Sequence, residues 1–234
     1  FIQSAPVVYK DQIILLETDK KQILSYHLKN GKLNYKDFYH PNKDYNYSAA
    51  WSGIGLDSDT GYIYFVTGNP KPDLYGVHRP GKNLNANSLI AYDLNNQKIV
   101  WTFQETAHDL WDADLSSPPI LADINFRNNP LKVVIITTKL GNTFIFERIS
   151  GKSLFDINYK KAPKSNIPGE QTSNYQIFNK LPERFSRSEF KIQDLQKKYL
   201  EDKNFLIDFK EKSIWGWYQP PTLGKELVFY GVHG

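Results

Sequence analysis

Apolar and polar positions alternate with period two in short runs along most of the chain, and each run closes on a turn-forming pair. "APVVYKDQIILLET" reads as two strands around Lys10-Asp11. "ILSYHLKNGKLNYKDF" reads as two more around Asn30-Gly31, a pair whose preference for positive φ suits a two-residue hairpin. "WSGIGLDSDTGYIYFVTGN" repeats the pattern around Asp59-Thr60-Gly61, and "SLIAYDLNNQKIVWTF" around Asn95-Asn96. "PLKVVIITTKLGNTFIFERISGKSLFDI" holds three strands, with turns at Leu140-Gly141 and Ser150-Gly151. Period-two runs of this length, bounded by Gly, Asn and Asp, predict β-strands. Asp57-Ser58-Asp59 is spaced like the start of a calcium loop. Gly61 comes one place early and Gly68 replaces the closing acid, so a turn is expected there.

Three hairpins share one frame. Tyr26 to Lys32 is followed by Tyr35, Tyr92 to Lys98 by Trp101, and Phe146 to Lys152 by Phe155. The interval between frames is somewhat longer than the common period of four-stranded propeller blades. Regular strands with no βαβ alternation, together with a long repeat, predict a propeller or solenoid. At four strands per blade the chain holds about three and a half blades. Half a ring leaves raw strand edges, which calls for the rest of the same propeller as partner. Residues 158–213 break the pattern with Pro163, Pro168 and Pro182. A helical stretch "SEFKIQDLQKKYLEDKNFL" follows, with Ser188 placed to cap it and Phe190, Leu195, Tyr199 and Leu200 near one face. The expected division is blades over 1–157, an insertion with a short helix over 158–213, and the start of the next blade over 214–234.

Composition changes this picture little. Hydrophobic residues make up 40% and charged residues 23%, the balance of a globular chain. Aromatics reach 15%, which favours sheets. The net charge is +4, and the surplus lies within Asn158–Ser213, where 12 basic residues face 8 acidic ones. So small and local an excess gives no basic face for nucleic acid and reads as solvated surface. With no cysteine, disulfides and thiolate metal sites are excluded. No apolar run approaches the roughly 18 residues that a membrane helix needs. The chain opens on a strand without an initiator Met and stops just after "ELVFYGVHG", so it is expected to be an internal piece of a longer protein.

The candidate chemistry sits in "ETAHDLWDADLSSPP", where Asp109, Asp112 and Asp114 fall within six positions. Carboxylates that close repel one another, so some of them should be protonated, hydrogen-bonded or bound to a cation. His108 is expected to be a structural hydrogen-bonding residue, and Asp114 is read as structural.

The frame "AYDLNNQKIVW" resembles the repeat of the pyrroloquinoline quinone (PQQ)-dependent dehydrogenases, which are eight-bladed propellers with PQQ and a divalent cation on the central axis. Thr67-Gly68-Asn69-Pro70, "RPGKN" and "HDLWD" occur in the same order as in that family. "IPGEQTS" and "PPTLG" point to the membrane-bound glucose dehydrogenase branch. The resemblance implies an all-β fold, about half of an eight-bladed propeller of four-stranded antiparallel blades. It also implies that Trp51 lies flat under PQQ and that Asn69 offers an amide oxygen to the metal. Asp112 would be the catalytic base beside that metal, and Lys139 the cation at the quinone oxygens. Glu17 fits the metal carboxylate of the alcohol-oxidising branch only loosely, and the loop between Phe38 and Trp51 is short for the family.

These residue types suit the chemistry implied. A carboxylate within hydrogen-bond reach can take the proton of a hydroxyl as hydride leaves its carbon. Ca²⁺ takes oxygen ligands and polarises a carbonyl. An ammonium stabilises charge that develops on a quinone oxygen, and an indole gives a flat apolar face. The expected function is oxidation of a sugar, polyol or alcohol, with ubiquinone as electron acceptor, in the periplasm, any membrane anchor lying outside this chain. A non-catalytic propeller scaffold is the competing expectation, and it gives no reason to keep an acid at 112 and a cation at 139.

Overall fold

The computed structural model describes residues 1–40, 48–187 and 189–229. Strands dominate. The first sheet runs β1 (Val7–Tyr9), β2 (Gln12–Glu17), β3 (Gln22–His27) and β4 (Leu33–Phe38) in meander order, all antiparallel. The second repeats it with β5 (Ile54–Asp57), β6 (Tyr62–Val66), β7 (Ser88–Asp93) and β8 (Lys98–Gln104). The third comprises β9 (Ile120–Phe126), β10 (Asn129–Thr137) and β11 (Thr143–Glu147). Its expected outer strand is reduced to a single bridge between Phe146 and Ser153. Strand β9 was not anticipated, because its run from Ile120 to Phe126 includes two acidic or amide positions and only its inner alternation is apolar.

The sheets stack face to face, and the middle one shows how. Along β6, Ile63 and Phe65 join a cluster with Ile14, Leu16 and Ile23 of the first sheet. Tyr64 and Val66, pointing the other way, join Val134, Ile136, Phe144 and Phe146 of the third. Strand β7 behaves alike, with Ile90 and Tyr92 on one side and Leu89 and Ala91 on the other. Successive side chains of a strand face opposite ways, so one apolar run serves two cores. Every residue of β7 is buried. This is packing of radially repeated blades, and the antiparallel four-stranded sheets match the all-β, part-propeller expectation.

The shared frame has a structural cause. In the first and third sheets the turn is closed by two matching backbone bonds: His27 N to Lys32 O and Gly31 N to His27 O, then Glu147 N to Lys152 O and Gly151 N to Glu147 O. The loop is therefore four residues long, where Asn30-Gly31 had been expected to make a two-residue hairpin. Its fourth residue is left-handed each time: Gly31 at φ 66°, Gln97 at φ 52°, Gly151 at φ 69°. Asp93 steadies the middle turn by accepting the amides of Asn95 and Asn96 at 2.8 and 3.1 Å. The frame's aromatic then lands on the next blade. Trp101 donates from Nε1 to Arg148 O at 3.2 Å, and a Cβ on Gly151 would meet its ring at 2.5 Å. Arg148 in turn pairs with Asp57 of the second sheet at 3.2 Å, both buried. Asp57-Ser58-Asp59 is the plain turn expected, with Asp57 accepting the Asp59 amide.

Residues 158–213 carry the short pair β12 (Tyr159–Lys161) and β13 (Tyr175–Ile177), which was not foreseen. The single expected helix is instead a 3₁₀ turn at Ile192–Asp194, then α1 (Lys197–Glu201) and α2 (Lys203–Lys212). Asp202 interrupts it and caps α2 by accepting the Phe205 amide at 3.0 Å, an N-cap role typical of Asp. Ser188, the expected cap, lies outside the described residues. A final parallel pair joins β14 (Ser213–Trp215) to β15 (Glu226–Val228). Among the described residues no helix is long and apolar enough to cross a membrane.

Candidate active site

The "HDLWD" loop is built around Asp109. Its carboxylate is buried and accepts the Trp111 amide at 2.7 Å and the Ala113 amide at 2.8 Å. It also accepts Asn87 Nδ2 at 2.8 Å. Burial holds its carboxyl above the usual range, against those bonds. Arg79 of "RPGKN", itself buried, donates to the Asp109 carbonyl and to Asn83 Oδ1. Trp111 is fixed by donating to Gln219 O at 2.7 Å and by edge packing on Tyr218. The loop so held turns outward at Asp112, which sits at φ 55° with its side chain 42% exposed.

Lys139 follows β10, and its Nζ lies 2.8 Å from Asp112 Oδ2. The same ammonium is 4.0 Å from Asp114 Oδ2. Asp114 Oδ1 accepts the Asn69 amide at 2.6 Å. Burial first, and then the neighbouring Asp112 charge, push the Asp114 carboxyl up to about 6. The three crowded aspartates thus resolve in three ways: Asp109 by backbone amides, Asp112 by an ammonium, and Asp114 by burial with one amide. Asp114, read as structural from sequence, is one of the residues that line the site. Its D-x-D spacing from Asp112 was the available signal.

A cleft of about 380 Å³ opens beside this chain of contacts, lined by Trp51, Gly68, Asn69 and Asp114 together with Thr18 and Asp19. Gly68 has a definite reason to be glycine. A Cβ there would come within 2.3 Å of Asp114 Oδ1 and 3.0 Å of Trp51 Nε1, so its absence lets indole and carboxylate stand side by side. Four of the expected residues, Trp51, Asn69, Asp112 and Lys139, are therefore brought to one place. Glu17 is not brought there. Its carboxylate pairs with Lys20 at 3.3 Å, while the next two residues line the cleft instead. The loop noted as short includes residues 41–47, which are outside the described residues.

The donor set fits the groups expected. Asn69, Asp112 and Asp114 offer only oxygen ligands, which suits a hard divalent cation. No three His, Cys, Asp or Glu side chains converge on a metal-sized position among the described residues. Such a cation would need part of its shell from a ligand as well. Trp51 on one wall and the Lys139 ammonium at the edge suit a planar, anionic quinone.

Two buried carboxylates to which the sequence reading gave no role, although both lie in quoted stretches, support this site. Glu105 Oε1 accepts Thr138 Oγ1 at 2.9 Å and Asn142 Nδ2 at 2.7 Å, bracketing the turn that carries Lys139. Burial pushes its carboxyl up to about 7. Glu170, in the segment read as an insertion, contacts His108 at 2.7 Å. His108 is the structural hydrogen-bonding residue expected, with its other nitrogen on Gly81 O at 2.8 Å.

The model for the family "PQQ: Glucose/ethanol/alcohol dehydrogenase, beta-propeller domain" matches residues 2–234. The chain belongs to the PQQ-dependent dehydrogenase β-propeller family. It is 33% identical over 199 residues to quinoprotein glucose dehydrogenase A of Acinetobacter calcoaceticus, covering 81% of this chain and 25% of that protein. It is 28% identical over 190 residues to the glycerol dehydrogenase large subunit of Gluconobacter oxydans strain 621H, covering 79% of this chain and 26% of the relative. Among solved structures, the quinohemoprotein alcohol dehydrogenase of Comamonas testosteroni superposes with a TM-score of 0.58 at 25% identity, over 73% of this chain and 31% of that one. The chain spans about a quarter of the length of the curated family members it matches. The fold and PQQ family expected from sequence are both borne out.

Proposed function

We propose that the full-length protein is a PQQ-dependent dehydrogenase that oxidises a secondary or primary hydroxyl of a sugar or polyol. The observation that carries this reading is the contact of Lys139 Nζ with Asp112 Oδ2 at 2.8 Å, the same ammonium lying 4.0 Å from Asp114, which lines a cleft with Trp51 and Asn69. Asp112 takes the hydroxyl proton; its partly exposed carboxylate is the one reachable by substrate. Lys139 orients Asp112 through their 2.8 Å contact and offers a positive charge to an oxygen that becomes negative as the reaction proceeds. Trp51 closes one wall against water, and Asn69 with Asp114 presents oxygen ligands to a divalent cation such as Ca²⁺. Bound PQQ would supply the quinone that accepts hydride, with ubiquinone as its onward acceptor in a periplasmic setting. Named glucose and glycerol dehydrogenases among the relatives favour a sugar or polyol over a simple alcohol.

The test is reconstitution of the full-length protein with PQQ and Ca²⁺, followed by dye reduction with glucose, glycerol, other polyols and short alcohols. Activity is expected with at least one sugar or polyol. Asp112→Asn is expected to lower kcat by about 10²–10⁴-fold, the usual contribution of a general base, with PQQ binding retained. No reduction with any substrate class would overturn the reading.

A further inference from the structure

The segment 158–213, expected to be an insertion between blades, grips the "HDLWD" loop directly. Gln176 takes both backbone groups of Ala107, accepting from its amide at 3.1 Å and donating to its carbonyl. Glu170 does more. Oε1 lies 2.7 Å from His108 Nε2, while Oε2 accepts the amide of Gly76 at 2.6 Å. The side chains of His108 and Glu170 are each only 1% exposed. A carboxylate so completely removed from water is costly unless its lone pairs are used, and here they serve two separate loops and, through Oε1, the Gln171 amide at 3.1 Å.

Those two loops carry the two halves of the site. Gly76 lies in the excursion between β6 and β7 that begins with Asn69 and ends with Arg79 and Asn83. His108 opens the loop that presents Asp112. The fit is close: a Cβ on Gly76 would meet His108 Nε2 at 2.3 Å and Glu170 Oε1 at 2.9 Å. The imidazole continues the link, because Nδ1 faces Gly81 O, a pure acceptor, and must therefore carry a hydrogen. The His108 amide donates to Lys82 O at 3.1 Å. One carboxylate and one ring thus tie residues 76–82 to residue 108.

We propose that Glu170 is a positioning residue that sets the distance between the Asn69 loop and the Asp112 loop, which rests on the reading of Asp112 as base. Acting through His108 and the Gly76 amide, it touches no reacting atom. Its length matters more than its charge. An aspartate is one methylene too short to reach both partners. A glutamine keeps both, since its amide can donate to a neutral Nε2 while its oxygen accepts from Gly76, and it gives up only the acceptor that Oε1 offers the neighbouring Gln171 amide.

The experiment compares Glu170→Asp and Glu170→Gln in the full-length protein. Amide hydrogen exchange is measured first, without cofactor or substrate. Glu170→Asp is expected to speed exchange at Gly76 and Ala107 at least tenfold while β6 and β7 stay protected. Glu170→Gln is expected to stay within about threefold of wild type. In the reconstituted enzyme Glu170→Asp should lower kcat by roughly tenfold or more with KM little changed, as expected when a reacting group is misplaced by a fraction of an ångström; Glu170→Gln should restore it. Exchange unchanged in Glu170→Asp, or raised equally in every strand, would overturn the proposal. So would a glutamine variant as impaired as the aspartate. Absence of dye reduction in wild type would count against the proposed function alone, because the exchange comparison needs no catalysis.

Discussion

Glu105 shows at single-residue scale how burial and hydrogen bonding compete. Thr138 and Asn142 share its Oε1, and Oε2 has no hydrogen-bond partner among the described residues. Half a carboxylate is therefore desolvated without return, which is why the acid is pushed up to about 7. The sign follows directly. Between the ordinary glutamate value of 4.5 and about 7 the folded protein keeps a proton that the unfolded chain gives up. Its contribution to stability is thus present in full below pH 4.5 and lost above about 7. Glu105→Gln retains an acceptor for Thr138 and Asn142 and removes the titration. Urea denaturation of the full-length protein at pH 5 to 8 is expected to show wild type losing stability relative to the variant, by on the order of 3 kcal/mol across the window. Parallel curves for the two proteins would contradict this account.

At the scale of elements, the turn of the third sheet and an aromatic of the second act together. Trp101 spreads over the Gly151 turn and bonds to Arg148 O, and Arg148 reaches back to Asp57. Gly151→Ala should be costly twice over: its φ of 69° disfavours a side chain, and the added methyl would overlap the indole. A loss of roughly 2–4 kcal/mol is expected in chemical denaturation, against about 1 kcal/mol for Gly31→Ala, where a Cβ has nothing within 4 Å and only the left-handed backbone opposes it. This level of structure was largely legible in the chain. Period-two alternation located β1 to β8, β10 and β11, and the recurring frame marked the turn of each blade, with its Trp101 reaching the next one. The sequence motifs likewise brought Trp51, Asn69, Asp112 and Lys139 together. What escaped reading was long-range. Glu170 lies 62 residues from His108, with no local pattern to pair them. Asp202 breaks a helical run because a side chain that caps the following helix competes with continuing the first. Asp114 was visible as a charge, but only the Asn69 amide and Lys139 show it facing the cleft.

For the whole molecule, the cleft draws on segments far apart in the chain, from Phe1 and Thr18 to Asn69 and Asp114. The cleft's lining is supplied by the first two sheets and the "HDLWD" loop. The 234-residue chain by itself is expected to give no dye reduction with PQQ, Ca²⁺ and a substrate that the full-length protein oxidises; turnover by the isolated chain would show that the axial site needs no further blades.

The two-sided use of β6 carries a last consequence. Because Phe65 and Tyr64 are neighbours in sequence but belong to different cores, the middle sheet works as a hinge pin between its neighbours. Neither outer sheet can slide or peel away without exposing a face of the same strand, so heat should melt all three in one step instead of shedding them in turn.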